Sequence, residues 1–225
     1  MGNVYSTQFN PSRHYKHSGF SSTILSSYSF LNRSRCLAWY EENLFSISSP
    51  DDGINYYAYK HSGFSATVLS SVSPAGGFNS WGIGLDTDNL ISVNAADNKV
   101  YLYNGFSNTV SSSFTHPNSH YGGAYWDGSN LLLTSITNTR HYKMTGFSST
   151  ISDSYASPSA GSGDLSMISS DVISSDYSTE KHYKHNGFSA TILSSYTVSQ
   201  ADTIGIAWES DISILTSRML LGVGV

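Results

Sequence analysis

Four kinds of residue in this chain could do chemistry by type and spacing. Histidine comes first: His14 with His17, and His182 with His185, stand in an H-x-x-H spacing. On a helix that spacing turns both rings roughly one way, toward a shared metal; on a strand, residues three apart face opposite sides. Strand context therefore predicts no chelating pair, and no metal or cofactor is expected. Tyr103 and Met144 replace the second histidine in two other copies of the same phrase, which suits packing better than ligation.

Lysine follows: Lys16, Lys60, Lys143 and Lys184 recur at one position, with Leu102 as the exception. They read either as a solvated strand face or as a rim that meets a ligand several times over. Trp39, Trp126 and Trp208 each precede an acidic turn, where they would either stack on sugar rings or pack at the end of an inner strand. The carboxylates Asp51, Asp52, Asp86, Asp88, Asp127 and Asp153 fall in turns, which aspartate favours for its side-chain-to-backbone hydrogen bonds. No spacing among them singles out a catalytic pair. With no G-x-S-x-G elbow, phosphate loop, dinucleotide fingerprint or calcium loop, the reading is of a protein that is not an enzyme.

Composition narrows the partners. The 225 residues carry a net charge of -5, only 12% of them are charged, and serine, threonine, asparagine and tyrosine supply the polarity. Such a surface suits neutral hydrogen-bonding contacts, so nucleic acid is not an expected partner. Cys36 is the single cysteine and can form no internal disulfide; a small buried strand residue is expected there. No signal peptide is visible, Gly2 with Ser6 fits only the short myristoylation pattern, and the apolar Met219 to Val225 is too short to span a bilayer, so no membrane role is expected.

The elements that must position these residues are set by repetition. A phrase running from His14 to Tyr28 recurs at Ala58 to Val72, Val100 to Phe114, His141 to Tyr155 and His182 to Tyr196, with its Gly-Phe pairs 44, 42, 41 and 41 residues apart. A period of that size signals a repeat architecture. In the clearest copy, Trp81 to Leu85, Leu90 to Val93, Lys99 to Tyr103 and Phe106 to Thr115 read as four strands, with turn chemistry at Asp86 to Asn89, Ala95 to Asn98 and Asn104-Gly105. Four antiparallel strands per unit make a propeller blade.

A two-residue turn at Ser18-Gly19 would pair His17 with Phe20 and Tyr15 with Ser22. One face then carries Tyr15, His17, Phe20, Ser22, Ile24, Ser26 and Tyr28, and the other carries Lys16 and Leu25. On that register the blade-packing columns are Tyr15, Tyr59, Tyr101, Tyr142 and Tyr183, then Phe20, Phe64, Phe106, Phe147 and Phe188, then Ile24, Val68, Val110, Ile151 and Ile192. The N-terminal segment Asn3 to Phe20 aligns without a gap to Asn89 to Phe106, so the chain starts at a second strand. The piece Thr203 to Glu209 is a first strand with no blade behind it. Joining the two gives an all-β, five-bladed propeller of four-stranded antiparallel blades, a single domain over 1–225 closed by its own terminal strands. Ile212 to Val225 is left as a rival closing strand or a docking tail.

The segments Leu37 to Leu44, Ala124 to Leu131 and Ile206 to Ile212 share an apolar strand, a tryptophan and an acidic turn. This arrangement resembles the inner strand and first turn of NHL-like and WD-type propeller blades, without the Gly-His and Trp-Asp pairs of WD40 repeats. The Ser- and Thr-rich Gly-Phe-Ser-x-Thr phrase resembles virion-associated and environmental bacterial repeat proteins. Blade count and repeat length resemble five-bladed lectins. These resemblances imply a non-enzymatic interaction module, part of a larger assembly such as a phage virion or tail surface. Other protein subunits are its partners in that case. The alternatives are a multivalent glycan binder at the Lys and Trp positions and, last, a hydrolase or lyase in the central channel.

Overall fold

The computed structural model describes residues 2–30, 33–49, 56–75, 80–116, 122–200 and 202–209; the expected closing strand or tail at 212–225 lies outside them. Twenty strands form five four-stranded antiparallel sheets. Blade 1 joins β20 (Thr203–Trp208) to β1 (Val4–Gln8), β2 (Arg13–His17) and β3 (Ile24–Ser29). Blade 2 holds β4 (Arg33–Tyr40), β5 (Asn43–Ser49), β6 (Tyr57–His61) and β7 (Val68–Val72), and blade 3 holds β8 (Ser80–Asp86), β9 (Asn89–Asn94), β10 (Lys99–Tyr103) and β11 (Val110–Thr115). Blade 4 is built from β12 (Ala124–Trp126), β13 (Leu131–Ser135), β14 (Arg140–Met144) and β15 (Ile151–Ala156). Blade 5 is built from β16 (Ser162–Ile168), β17 (Asp171–Asp176), β18 (Lys181–His185) and β19 (Ile192–Thr197). The fold is a five-bladed β-propeller, closed where β1 pairs with β20 from Val4 opposite Trp208 to Gln8 opposite Thr203.

The hairpin between third and fourth strands corrects the expected register. His17 lies opposite Ile24 and not Phe20, Tyr15 opposite Ser27, and His14 opposite Tyr28. The turn is six residues long, closed by the Ser18 N–H donating to the Thr23 carbonyl at 2.9 Å. Inside it Ser21 Oγ donates to the Ser18 carbonyl at 2.7 Å and accepts the Thr23 N–H at 3.3 Å. The same bonds recur at Ser65, Ser107, Ser148 and Ser189. The glycine of each phrase sits at φ between 57° and 69°, which an L side chain resists. Gly-Phe-Ser-x-Thr is thus a turn with its own brace, and a two-residue turn fails because it would leave that brace unmade.

The register also reassigns the faces. Phe20 sits in the turn and reaches back to the preceding blade, edge-on to Tyr196 at 4.9 Å. Phe64 does the same to Tyr28 at 4.8 Å, Phe147 to Phe114 at 5.0 Å, Phe188 to Tyr155 at 4.8 Å and Phe106 to Phe45 at 5.4 Å. In the tyrosine column, Tyr15, Tyr101, Tyr142 and Tyr183 are buried, and Tyr59 packs edge-on to Phe30 of blade 1 at 5.2 Å. The branched column does not pack between blades: Ile24, Val68, Val110, Ile151 and Ile192 are exposed. One residue too many in the fourth strand, marked by the irregular pairing at His17, turns them outward.

Each seam carries four coupled side chains. At the seam of blades 1 and 2, Tyr28 OH bonds His14 Nδ1 at 2.8 Å, the His14 ring meets His61 at 5.6 Å, and His61 Nε2 bonds Ser46 Oγ at 2.9 Å. Tyr196, His182, His17 and Ser6 repeat this between blades 5 and 1. His141, His185 and Ser174, with Tyr155 packed beside them, do so between blades 4 and 5. Where the phrase lacks histidine, three positions change at one seam, which keeps its serine, and all four change at the other. Val72, Ala58, Tyr103 and Ser92 serve blades 2 and 3, with Tyr103 OH on Ser92 Oγ at 2.9 Å. Phe114, Val100, Met144 and Leu133 serve blades 3 and 4, the last three fully buried in one cluster. The two histidines of an H-x-x-H pair therefore serve different seams, His14 meeting His61 and His17 meeting His182.

The first strands crowd the axis. A Cβ on Gly82 would lie 2.5 Å from the Gly122 carbonyl oxygen, and one on Gly205 would lie 3.1 Å from the Arg35 carbonyl oxygen. The Gly123 N–H donates across to the Gly163 carbonyl at 2.9 Å, so an edge that would otherwise be unpaired is satisfied by its neighbour.

Candidate functional site

Three places in this frame concentrate side chains with chemistry: the axis, its two mouths and the outer rim. On the axis, the corresponding first-strand residues of the five blades are Cys36, Gly82, Gly123, Asp164 and Gly205. Asp164 is fully buried there. Its Oδ2 accepts the Leu37 and Ile206 N–H groups at 3.0 Å each, and its Oδ1 accepts the Leu165 N–H at 2.9 Å. One carboxylate thus ties β4, β16 and β20 together. Burial pushes its pKa up to about 8, with those N–H groups pulling the other way, and burial likewise pushes the Cys36 thiol up. Cys36 Sγ donates to the Trp81 carbonyl.

The mouth where the first strands begin is a cup of about 550 Å³. Each blade supplies one large side chain to it: Phe9, Arg35, Trp81, Ile136 and Tyr177, in blade order. Asn10, Asp202 and Ile204 complete the lining. The Arg35 guanidinium lies 3.7 Å over the Trp81 ring, 4.7 Å from Phe9 and 5.6 Å from Tyr56. Burial lowers its pKa, but an arginine stays charged.

The opposite mouth is wider, about 730 Å³, and is lined by Trp39, Tyr40, Tyr125 and Trp126 with Glu41, Asp86 and Asp127. Two of the three expected tryptophans meet here. Trp39 is also stacked on Tyr5, 4.5 Å between centroids and 12° from parallel, while Trp208 packs apart from them against the blade 1 core. The lysines, read as a solvated face or a ligand-meeting rim, stand in neither a bare nor a buried row. They lie on third strands, half-buried: Lys16 pairs with Glu209 at 3.6 Å, Lys143 with Asp127 at 3.3 Å and Lys184 with Asp171 at 3.1 Å. Lys60 instead lies 5.7 Å over the Phe45 ring. The first-turn carboxylates that bind these lysines thereby tie third strands to the front of the blade.

The rim is formed by the fourth strands, each the terminal strand of its sheet. The exposed large hydrophobic residues of the described chain all lie there, led by Leu25 at 56%, Leu69 at 55% and Leu193 at 52%. Strands β3, β7, β11 and β19 contain no charged residue, and β15 contains only Asp153.

Sequence reading by similarity missed Arg35, Trp81, Asp164 and the rest of the axial set. The signal was in the differences: aligned by ladder position, Phe9, Ser49, Ala95, Ile136 and Tyr177 disagree in every copy, as do most of Arg35, Trp81, Gly122, Gly163 and Ile204.

No family model matches the chain, and neither does any curated protein. Solved structures do. A chain of a nidogen/laminin complex matches with a TM-score of 0.61 at 11% identity, over 92% of this chain and 98% of that one. Glutaminyl cyclase from Myxococcus xanthus matches at 0.59 and 12% identity, over 87% and 77%. The WD40 domain of Neurospora crassa Pan2 matches at 0.50 and 9% identity, over 76% and 52%. At such identities the likeness is one of fold, the β-propeller, and that fold serves enzymes and binding proteins alike.

Proposed function

We propose that this protein is a non-enzymatic interaction module that docks protein subunits of a larger assembly, such as a virion or tail surface, through its outer strands. The observation that carries this is the rim. Edge strands of soluble proteins are normally blunted by charge, proline or cover. Here four of five carry no charge, and three of those four present paired apolar residues, Ile24-Leu25, Val68-Leu69 and Ile192-Leu193, beside an unpaired backbone ladder. That combination suits strand addition by a partner. The axis supports the non-enzymatic part, because the Asp164 oxygens are already engaged by three backbone N–H groups. One chain of similar fold is from a nidogen/laminin complex, though only its fold is shared. The test places a photo-crosslinking residue at Leu25, Leu69 or Leu193, with Lys99 as control, in the protein's native setting. Crosslinks to defined subunits concentrated at the leucines are expected. Equal crosslinking from Lys99, or none from the leucines, would contradict the proposal.

A second reading, glycan binding, rests on the wide mouth, where Trp39 and Trp126 stand with Tyr40 and Tyr125 beside carboxylate acceptors. In this reading the rows at Lys16, Lys60, Lys143 and Lys184, and Trp208, act only through the carboxylates and cores they brace. Binding on a glycan array that Trp126→Ala reduces at least tenfold supports it; an array at background removes it.

A further inference from the structure

The axial cup is a place where the five copies differ strongly. The turns, the tyrosine and phenylalanine columns and the rim are copied almost unchanged from blade to blade, as recent duplication would leave them. At the cup, the five contributions are an aromatic ring, a cation, an indole, a branched aliphatic and a phenol. A repeat that needed only to fill its axis has a simpler solution, which the first-strand glycines Gly82, Gly123 and Gly205 already show one layer below. Large, chemically distinct side chains around an open space make a single asymmetric site, of the volume usual for small-molecule pockets.

Charge decides the ligand class. Arg35 is held between Trp81 and Phe9, and no carboxylate among the described residues lies within ion-pair distance of it. Among the described residues this partly buried guanidinium meets aromatic rings and the Tyr56 hydroxyl and no carboxylate, so a carboxylate arriving in the cup gains its paired N–H donors. The Trp81, Phe9, Tyr177 and Ile136 surfaces meet an apolar body. Asp202 at the lip is exposed and disfavours a second negative charge.

We propose that the cup binds an apolar group bearing a single carboxylate, seated on the aromatic wall with its carboxylate on Arg35. The site lies on the axis, away from the rim, so its fate is independent of the docking proposal. Two sources share this chemistry, a free small acid and the C-terminal residue of a peptide.

The test is calorimetric titration of the whole chain with 3-phenylpropionate, its amide, succinate and the dipeptide Gly-Phe. One-to-one binding of 3-phenylpropionate, with the amide and succinate each at least tenfold weaker, is expected. Tighter binding of Gly-Phe than of 3-phenylpropionate identifies a chain end as the occupant, and the reverse identifies a free acid. Arg35→Gln is expected to lose at least tenfold, Arg35→Lys to recover part of it, and Asp202→Asn to bring succinate within a few-fold of the monoacid. Should Arg35→Gln fail to fold, the acid–amide comparison on the unaltered protein still decides. Equal binding of acid and amide, or no binding of either acid or dipeptide, overturns the proposal.

Discussion

Asp164 is the residue whose removal tells most about the axis. Its two oxygens serve three backbone N–H groups from three blades, all buried. Alanine leaves those donors unsatisfied, and each such group costs about 1–3 kcal/mol, so Asp164→Ala should lose about 3 kcal/mol or more of stability. Asparagine keeps one acceptor but turns an N–H toward the Leu165 N–H, for a loss of about 2 kcal/mol. Chemical denaturation of both variants measures the difference. An Asp164→Ala variant as stable as the parent would mean the carboxylate is not the tie between β4, β16 and β20.

At the scale of elements, the blades are joined by seams of four side chains, and the seam of blades 3 and 4 replaces the whole polar set. His141, Tyr155, Ser174 and His185 at one seam stand where Val100, Phe114, Leu133 and Met144 stand at the seam before it. Moving the apolar set into the later seam, as His141→Val with Tyr155→Phe, Ser174→Leu and His185→Met, should restore most of the stability that His185→Met alone removes by leaving Ser174 Oγ without its partner, about 1–3 kcal/mol. Additive losses across the four would contradict the coupling.

The polar seams also set the response to acid. Burial, and in part the facing histidine, lowers His14 and His141 to about 3, and burial lowers His17, His61 and His185 to about 4, with His182 well below its ordinary value. Their unfolded value is 6.5. A native value below the unfolded one means the contribution is complete above pH 6.5 and is lost as pH falls toward 4, because the unfolded chain binds the protons. Asp164 runs the other way: raised from 3.8 to about 8, it favours the fold in acid and loses that contribution as pH rises toward 8. Six histidines outweigh one carboxyl, so the melting temperature should fall steeply between pH 6 and pH 4. The variant carrying the apolar set should fall less. A flat profile over that range would contradict the account of the seams.

For the whole molecule, the blade count and ring closure were legible because they depend on period and on which strands are missing at each end. Asn3 to Phe20 matched Asn89 to Phe106 without a gap, and Thr203 to Glu209 supplied the absent first strand. The hairpin register was not legible. Its two-residue turn follows from Ser-Gly taken alone, while the observed turn depends on Ser21 bonding both Ser18 and Thr23. Because of the extra residue at the irregular pairing beside His17, the column led by Ile24 faces solvent and becomes part of the rim. The axial side chains were hidden for another reason: a repeat is found by what its copies share, and Arg35, Trp81 and Asp164 are where they differ.

The contact surface proposed is the set of uncharged outer strands. It is tested most directly by amide hydrogen exchange, comparing the isolated protein with the protein in its native assembly. New protection is expected in the fourth strands, Ile24–Ser29, Val68–Val72, Val110–Thr115 and Ile192–Thr197 above all, with β15 and its Asp153 protected least. Unchanged exchange in those strands, with new protection confined to the mouths or absent, would contradict it.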